Sequence, residues 1–259
     1  MKQSRDRARI GILVPFTNAN LEPDFAMMCP NGVSLHVARM GGYDEDEVPD
    51  ETQMQGLGAA DLDDPLYLLS GIKPDVVIYG CTSATLTHGP SFDRALAARI
   101  ATDSGARTVT AAGALVNGLA ALGVMQVGFA SPYVSKINDM AIEFIANMGV
   151  ETVARAEVEA TLGNHEQGAL TPDDVMELGR RADHPQAEAI VLSCTEMRSL
   201  ETIQRLEDAL GKPVISSNQA MMFEALGALG IDDPIHGFGQ LLASVKRSPT
   251  QPAKEQQSA

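Results

Sequence analysis

Two stretches of the chain read as copies of one another. Val77-Ile78-Tyr79-Gly80-Cys81-Thr82 and Ile190-Val191-Leu192-Ser193-Cys194-Thr195 each run an apolar segment through one small residue into Cys-Thr. They lie roughly 110 residues apart, and other segments repeat at a similar interval in the same order. Ile12-Leu13-Val14-Pro15-Phe16 matches Phe129-Ala130-Ser131-Pro132-Tyr133, and residues 106–123 match 211–227, each ending in Ala-Leu-Gly. A duplicated unit of this size constrains the fold more than any other feature: the chain should build two similar halves, not one large core.

Within each half, short apolar runs alternate with helical periodicity. The runs at residues 9–15, 33–38, 76–79, 108–110, 127–130, 190–193 and 214–216 read as buried strands. Residues 90–102, 111–122, 135–148, 171–182, 202–210 and 219–229 carry apolar side chains at three- and four-residue spacing and read as helices. Thr171-Pro172-Asp173-Asp174 joins a cap, a first-turn proline and acidic residues, and Gly123 and Gly149 follow helical runs as stops. Strand–helix alternation predicts α/β architecture with mainly parallel sheets covered on both faces. Residues 43–64 are acidic and Gly-rich and read as a solvated loop with one short helix. Residues 248–259 are polar and Pro/Gln-rich and read as a flexible tail.

Charge and composition narrow the function. The net charge is −15 and the pI about 4.6, so a phosphate backbone is repelled and nucleic acid is not an expected partner. Aromatics make up 4% and Trp is absent, which removes a base-stacking platform. No apolar run approaches the roughly 20 residues of a membrane span, so no membrane partner is expected. Three cysteines, Cys29, Cys81 and Cys194, are too few and too odd for a disulfide framework and point to a reducing, cytoplasmic setting. No Walker A, GxGxxG or GxSxG motif is present, and the five histidines lack metal-ligand spacing. His88, seven residues past Cys81, reads as a packing histidine.

Ligands in open α/β sheets bind beyond the carboxyl ends of strands. Two pseudo-equivalent halves facing one another would set Cys81 and Cys194 on opposite walls of one cleft. Amides of the following helices would lower the thiol pKa values and hold an anion. Two thiols across a cleft can move a proton off one face of a carbon acid and return it on the other. Alternatively, one can add to an activated double bond. A single cysteine after an apolar strand is ordinarily a small core residue, but packing gives no reason for two at matched positions. Cys29 has no matched partner and reads as structural. Thr82, Ser83, Tyr133 and Thr195 crowd the same strand ends and supply a neutral cradle for a carboxylate and the enediolate derived from it.

Several stretches resemble the aspartate/glutamate racemase superfamily, and within it the branch of maleate isomerases, arylmalonate decarboxylases and ectoine-utilisation relatives. They are VPFTNANLEPD at 14–24, GCTSATLTHG at 80–89, LVNGLAALGV at 115–124, ASPYVSKIN at 130–138, LSCTEMRSLETI at 192–203 and GKPVISSNQA at 211–220. The resemblance implies two pseudo-symmetric Rossmann-like (flavodoxin-like) domains with the active site in the cleft between them. Residues 1–112 and 217–247 would form the first domain and 113–216 the second. It also implies that no cofactor is needed, and that the protein is a homo-oligomer, a dimer as in relatives. Thr82, Ser83 and Tyr133, with amides around Thr195, match the oxyanion pocket of the decarboxylase branch. That branch replaces the first cysteine by glycine, whereas Cys81 stands here. Asn18 matches a substrate-binding asparagine of the isomerases, although Phe16 departs from their motif, and Asn164 is matched to a second such asparagine. Cys194-Thr195-Glu196 is more similar to the second motif of amino-acid racemases.

Together these readings predict a cofactor-independent racemase or isomerase of a small carboxylate, an amino acid or a derivative, with Cys81 and Cys194 as the acid/base pair. Alternatives are maleate-type cis–trans isomerisation through a Cys81 adduct, arylmalonate-type decarboxylation with Cys194 as proton donor, and non-catalytic carboxylate binding.

Overall fold

A computed structural model describes residues 7–41, 48–244 and 246–247. The first half contains β1 (Ala8–Pro15), α1 (Leu21–Met28), β2 (Val33–Met40), α2 (Glu51–Gly58), α3 (Asp63–Ser70), β3 (Val76–Tyr79), α4 (Thr82–Leu86), α5 (Pro90–Ser104), β4 (Arg107–Thr110) and α6 (Ala111–Leu122). The second contains β5 (Gln126–Ser131), α7 (Ser135–Ala146), β6 (Glu151–Glu157), α8 (Asn164–Ala169), α9 (Pro172–Arg181), β7 (Ala189–Leu192), α10 (Ile203–Leu210), β8 (Val214–Ser216), α11 (Ser217–Leu229) and α12 (Gln240–Ser244).

The duplication read from the sequence is the duplication of the fold. Each half forms a four-stranded, wholly parallel sheet, ordered β2-β1-β3-β4 in one and β6-β5-β7-β8 in the other. The central strands are continuous apolar runs because helices cover both faces. Ile10, Ile12, Leu13 and Val14 of β1, all four residues of β3 and all four of β7 are completely buried. The strand order reverses between β1 and β3, and again between β5 and β7. Those reversals open the crevices in which such sheets bind ligands.

The last strand of each half ends in a hydroxyl residue that caps the next helix. Thr110 Oγ1 accepts from Gly113 N (3.2 Å) to start α6, and Ser216 Oγ accepts from Gln219 N (3.2 Å) to start α11. The two helices pack along one another and each reaches the sheet of the other half: α6 touches β8, and α11 touches β3 and β4. The approach of α6 to β8 depends on Gly118, where a Cβ would lie 2.5 Å from Ile215 Cδ1.

The sequence reading does not name the short helices α1, α3, α4, α8 and α12, and it departs from the structure in two further places. Within residues 43–64 the one short helix is present as α2, but it packs into the core where the stretch reads as solvated. Residues 42–47 lie outside the described ones, but α2 fills residues 51–58 and α3 begins at Asp63. Asp50 caps α2, its carboxylate accepting from Gln53 N at 3.0 Å, while Met54 and Leu57 are buried one turn apart. α2 lies so close to α4 that a Cβ on Gly58 would sit 2.6 Å from the Ala84 carbonyl oxygen and 2.9 Å from His88 Cδ2. The second departure is β6, an edge strand of its sheet, whose ETVARAE sequence is polar and only half buried. The tail read as flexible, 248–259, lies outside the described residues. Among the described residues, no helix is long and apolar enough to cross a membrane.

Candidate active site

The carboxyl ends of β1, β3, β5 and β7 converge on one cavity of about 40 Å³. Its walls include Thr17 and Asn18 after β1, Cys81 and Ser83 after β3, Tyr133 after β5, and Cys194, Thr195 and Glu196 after β7. Asn164 and Gln167 of α8 and Met54 and Leu57 of α2 complete it. Cys81 and Cys194, at matched positions of the two halves, therefore face a common space, 5% and 4% exposed. The bystander reading of Cys29 agrees with its position: it ends α1, its Sγ 3.6 Å from Val33 O, and it does not line the cavity. His88 is also outside, stacked on Phe92 at 3.9 Å and within 3.0 Å of Gln55 O through Nε2.

The surroundings of the two thiols differ. Cys81 Sγ lies 3.7 Å from Ser83 Oγ, and the N–H groups of Ala84 and Ser83 donate to it. Cys194 Sγ accepts from Glu196 N at 3.4 Å and lies 3.8 Å from the Gln167 side-chain oxygen. Lowered thiol pKa values were the expectation, and here the structure corrects it. Burial outweighs the amides, so Cys81 is held above its usual 9.0. Cys194 is pushed up to about 12, by burial first and further by the negative charge of Glu196. Among the described residues, no carboxylate acts on Cys81 in the same way. Both sulfurs have hydrogen-bond donors, so it is the Glu196 charge that keeps Cys194 a protonated thiol, an acid, and leaves Cys81 the one whose anion meets no facing charge.

Tyr133 stands beside Cys194. Its phenol is held well above 10, by burial first and then by the charges that Cys194 and Cys81 would carry, so it stays a neutral donor, hydrogen-bonded to Cys194. The turn that presents it is fixed behind: Ser131 Oγ accepts from Tyr133 N (3.2 Å), Asn138 Nδ2 donates to Tyr133 O (3.1 Å), and the Ser131 hydroxyl donates to Asn138 Oδ1. Its counterpart in the first half, Phe16, is 36% exposed and not in the lining.

Asn18 ties the halves together at the cavity edge. Its Oδ1 accepts from Leu21 N (2.9 Å), starting α1, and its Nδ2 donates to Thr195 Oγ1 (3.1 Å). Asn218 Nδ2 supports the same place, donating to Thr195 O (3.0 Å) and to Asp24 Oδ2 (2.8 Å). Thr82 is not where the cradle reading put it: its hydroxyl donates to Ser217 Oγ at 2.9 Å, and the residue is absent from the lining. The first turn of α4 points the Thr82 side chain toward α11 while Ser83 faces the cavity and donates to Met54 Sδ (3.0 Å).

Sequence reasoning gave no role to Gln167, Glu196, Met54 or Leu57. Gln167 lies three residues after Asn164 in α8, so the two share a helix face. Glu196 follows Cys194 by two residues, and its carboxylate accepts from Ala19 N at 2.9 Å and 3.2 Å. Met54 and Leu57 belong to α2, the short helix within a stretch whose sequence reads as solvated.

Residues 10–242 match the arylmalonate decarboxylase family model. The chain belongs to the arylmalonate decarboxylase family. The assignment to this branch of the racemase-like superfamily is thus borne out, as is the two-sheet α/β fold. The family member is 28% identical over 256 residues to the maleate isomerase of Geobacillus stearothermophilus, covering 91% of this chain and 97% of that one. It is 29% identical over 223 residues to the arylmalonate decarboxylase of Bordetella bronchiseptica, covering 84% and 86%. A cysteine-to-alanine variant of the maleate isomerase Iso from Pseudomonas putida S16, solved with maleate, superposes with a TM-score of 0.84 at 25% identity. That match covers 93% of this chain and 99% of the other.

Proposed function

We propose that this protein is a cofactor-independent isomerase of a small aliphatic carboxylate, in which Cys81 and Cys194 act from opposite walls. The observation that carries the reading is the meeting of two buried cysteines from matched positions in one cavity, with Tyr133 in the same lining. The presence of Cys81 and the similarity to maleate isomerases favour a small aliphatic substrate over an aryl-bearing one.

The unequal thiols favour fixed roles, as in cis–trans isomerisation. Cys81, having released its proton to solvent, adds as thiolate to one carbon of a cis carbon–carbon double bond activated by a carboxylate. The electron pair of that bond moves onto the carboxylate, and Ser83, Tyr133 and the α4 amides stabilise the enediolate. Cys194 gives its proton to the neighbouring carbon. Rotation about the resulting single bond follows. Cys194 then takes the proton back, the carbon–sulfur bond breaks, and Cys81 leaves as thiolate from the trans alkene. Atoms and charge balance without an outside reactant. Asn18, Asn164, Thr195 and Gln167 orient the substrate.

A second reading is racemisation of an amino acid or related α-substituted carboxylate, with the cysteines as an acid/base pair. The pseudo-symmetric placement of the thiols favours it, since each would reach one face of a stereocentre. One experiment separates the two. The protein is incubated in D₂O with a panel of cis-enoates and chiral small carboxylates and followed by NMR. A cis-to-trans conversion lost in Cys81→Ser supports the first reading. Deuterium entering the α-carbon of a saturated acid, lost in either cysteine variant, supports the second. Activity that survives Cys81→Ser refutes both.

A further inference from the structure

Among the described residues, the cavity lining contains a single carboxylate, Glu196, and no lysine, arginine or histidine. That is an unusual wall for a site that binds an anion, because nothing cationic in it offsets the charge.

Glu196 is fixed in position. Both carboxylate oxygens accept from Ala19 N, and the residue's carbonyl oxygen accepts from Asn20 Nδ2 at 2.7 Å. On the other side α8 packs so tightly that a Cβ on Gly168 would collide with Glu196 Oε1. Asn20 Nδ2 also donates to Gly168 O (2.9 Å), closing the clamp. The carboxylate cannot swing out to solvent without breaking this set. Among the described residues, the cation that acts on it is Arg39, which is already paired with Glu22 and donates to Asn18 O at 2.6 Å. Asp24, the other acid that acts on Glu196, adds negative charge when ionised.

The two ends of the cavity are therefore electrostatically different. The Cys81 end offers Ser83 and the backbone N–H groups of Ser83 and Ala84 to one carboxylate. The end formed by Thr17, Asn18, Thr195 and Glu196 offers hydroxyls, an amide and a negative charge. A second carboxylate placed there would meet that charge with no lining cation to neutralise it. A carboxamide, a hydroxyl or an ammonium group would meet hydrogen-bond partners it can use.

We propose that Glu196 is a specificity-determining residue that selects substrates with one carboxylate and a neutral or cationic far end, such as the monoamide of a cis-butenedioic acid, and rejects the dicarboxylate. The proposal rests on the isomerase reading for its turnover arm only. Burial holds Glu196 near 7, above its ordinary 4.5, against the pull of the Ala19 and Asn20 amides, so it is mostly ionised at pH 8. Rejection by a fixed like charge is a recognised route to specificity where attractive contacts alone discriminate poorly.

The test compares maleate with its monoamide at pH 8, in the wild-type protein and in Glu196→Gln, which keeps an oxygen for Ala19 N. Wild type is expected to turn over the monoamide with a kcat/KM at least tenfold above that of maleate. In Glu196→Gln that ratio falls at least tenfold, through the KM for maleate. A ratio unchanged within twofold overturns the proposal. If neither compound is isomerised by wild type, the isomerase reading fails. Glu196 is then judged by calorimetric binding of succinate against its monoamide: the same tenfold preference, lost in Glu196→Gln, upholds the proposal, and equal binding overturns it. A Glu196→Ser variant with an unchanged melting temperature guards against a folding artefact.

Discussion

Asp24 offers a quantitative test of how the site is supported. It lies on α1, 3% exposed, with Oδ2 accepting from Asn218 Nδ2, which in turn holds Thr195. Burial raises its pKa from 3.8 to about 7, against the opposing Asn218 hydrogen bond; Glu201 adds to the rise and Arg198 offsets part of it. The folded pKa lies above the unfolded one, so the contribution to stability is fully present below pH 3.8 and is lost as pH rises through about 7. At 1.36 kcal/mol per tenfold change in acidity, the ionised group costs the folded state roughly 4 kcal/mol at pH 8. Asp24→Asn keeps an acceptor for Asn218 and removes the charge. Urea unfolding of both proteins at pH 4, 6 and 8 should show the variant gaining on wild type as pH rises, by about 2–4 kcal/mol at pH 8. The two should converge near pH 4. A variant less stable than wild type at pH 8, or a difference that does not change with pH, would refute the reasoning.

Three further outcomes follow from the geometry. Tyr133→Phe removes the phenol donor beside Cys194 and should lower kcat by about 10²–10³, as loss of one oxyanion donor does; steady-state kinetics on the preferred substrate will show it. Gly58→Ala forces a Cβ onto the Ala84 carbonyl and His88. It should cost about 1–3 kcal/mol in urea unfolding and raise KM by displacing Met54 and Leu57. Because burial holds the Cys81 thiol above 9.0, kcat/KM for a monoanionic cis substrate should climb from pH 7 to pH 9; a plateau reached by pH 7 would show a thiolate more acidic than this site allows.

Much of the fold was legible because its central strands are buried on both faces. Such strands are unbroken apolar runs, so β1, β3, β5 and β7 stand out in the sequence, and duplication supplies the pairing of the halves. β6 was not legible from its own residues, since an edge strand keeps charged side chains. The duplication holds the missing signal: β2 occupies the equivalent edge of the first sheet. The cysteines, Ser83, Tyr133, Asn18 and Thr195 were readable because each follows a strand end directly. Thr82 shows the limit of that logic, because adjacent residues at a helix start point in different directions and only one faces the cavity. Gln167, Met54 and Leu57 come from helices whose contact with the site is long-range. Nothing local marks α2 as a cover over Cys81, apart from the Asp50 cap and the spacing of Met54 and Leu57. The thiol acidities were misread for a different reason: amides at a helix start favour a thiolate, but how deeply the sulfur is buried is a property of the folded cavity alone.

The central claim is that Cys81 bonds to the substrate while Cys194 handles the proton, and mass spectrometry addresses it directly. Cys194→Ser, incubated with a cis-enoate that wild type isomerises and then digested, should yield a peptide containing Cys81 heavier by one substrate molecule, with Cys29 unmodified. Cys81→Ser should give no adduct and no trans product. An adduct confined to Cys194 in the Cys81→Ser protein, with isomerisation retained, would contradict the account.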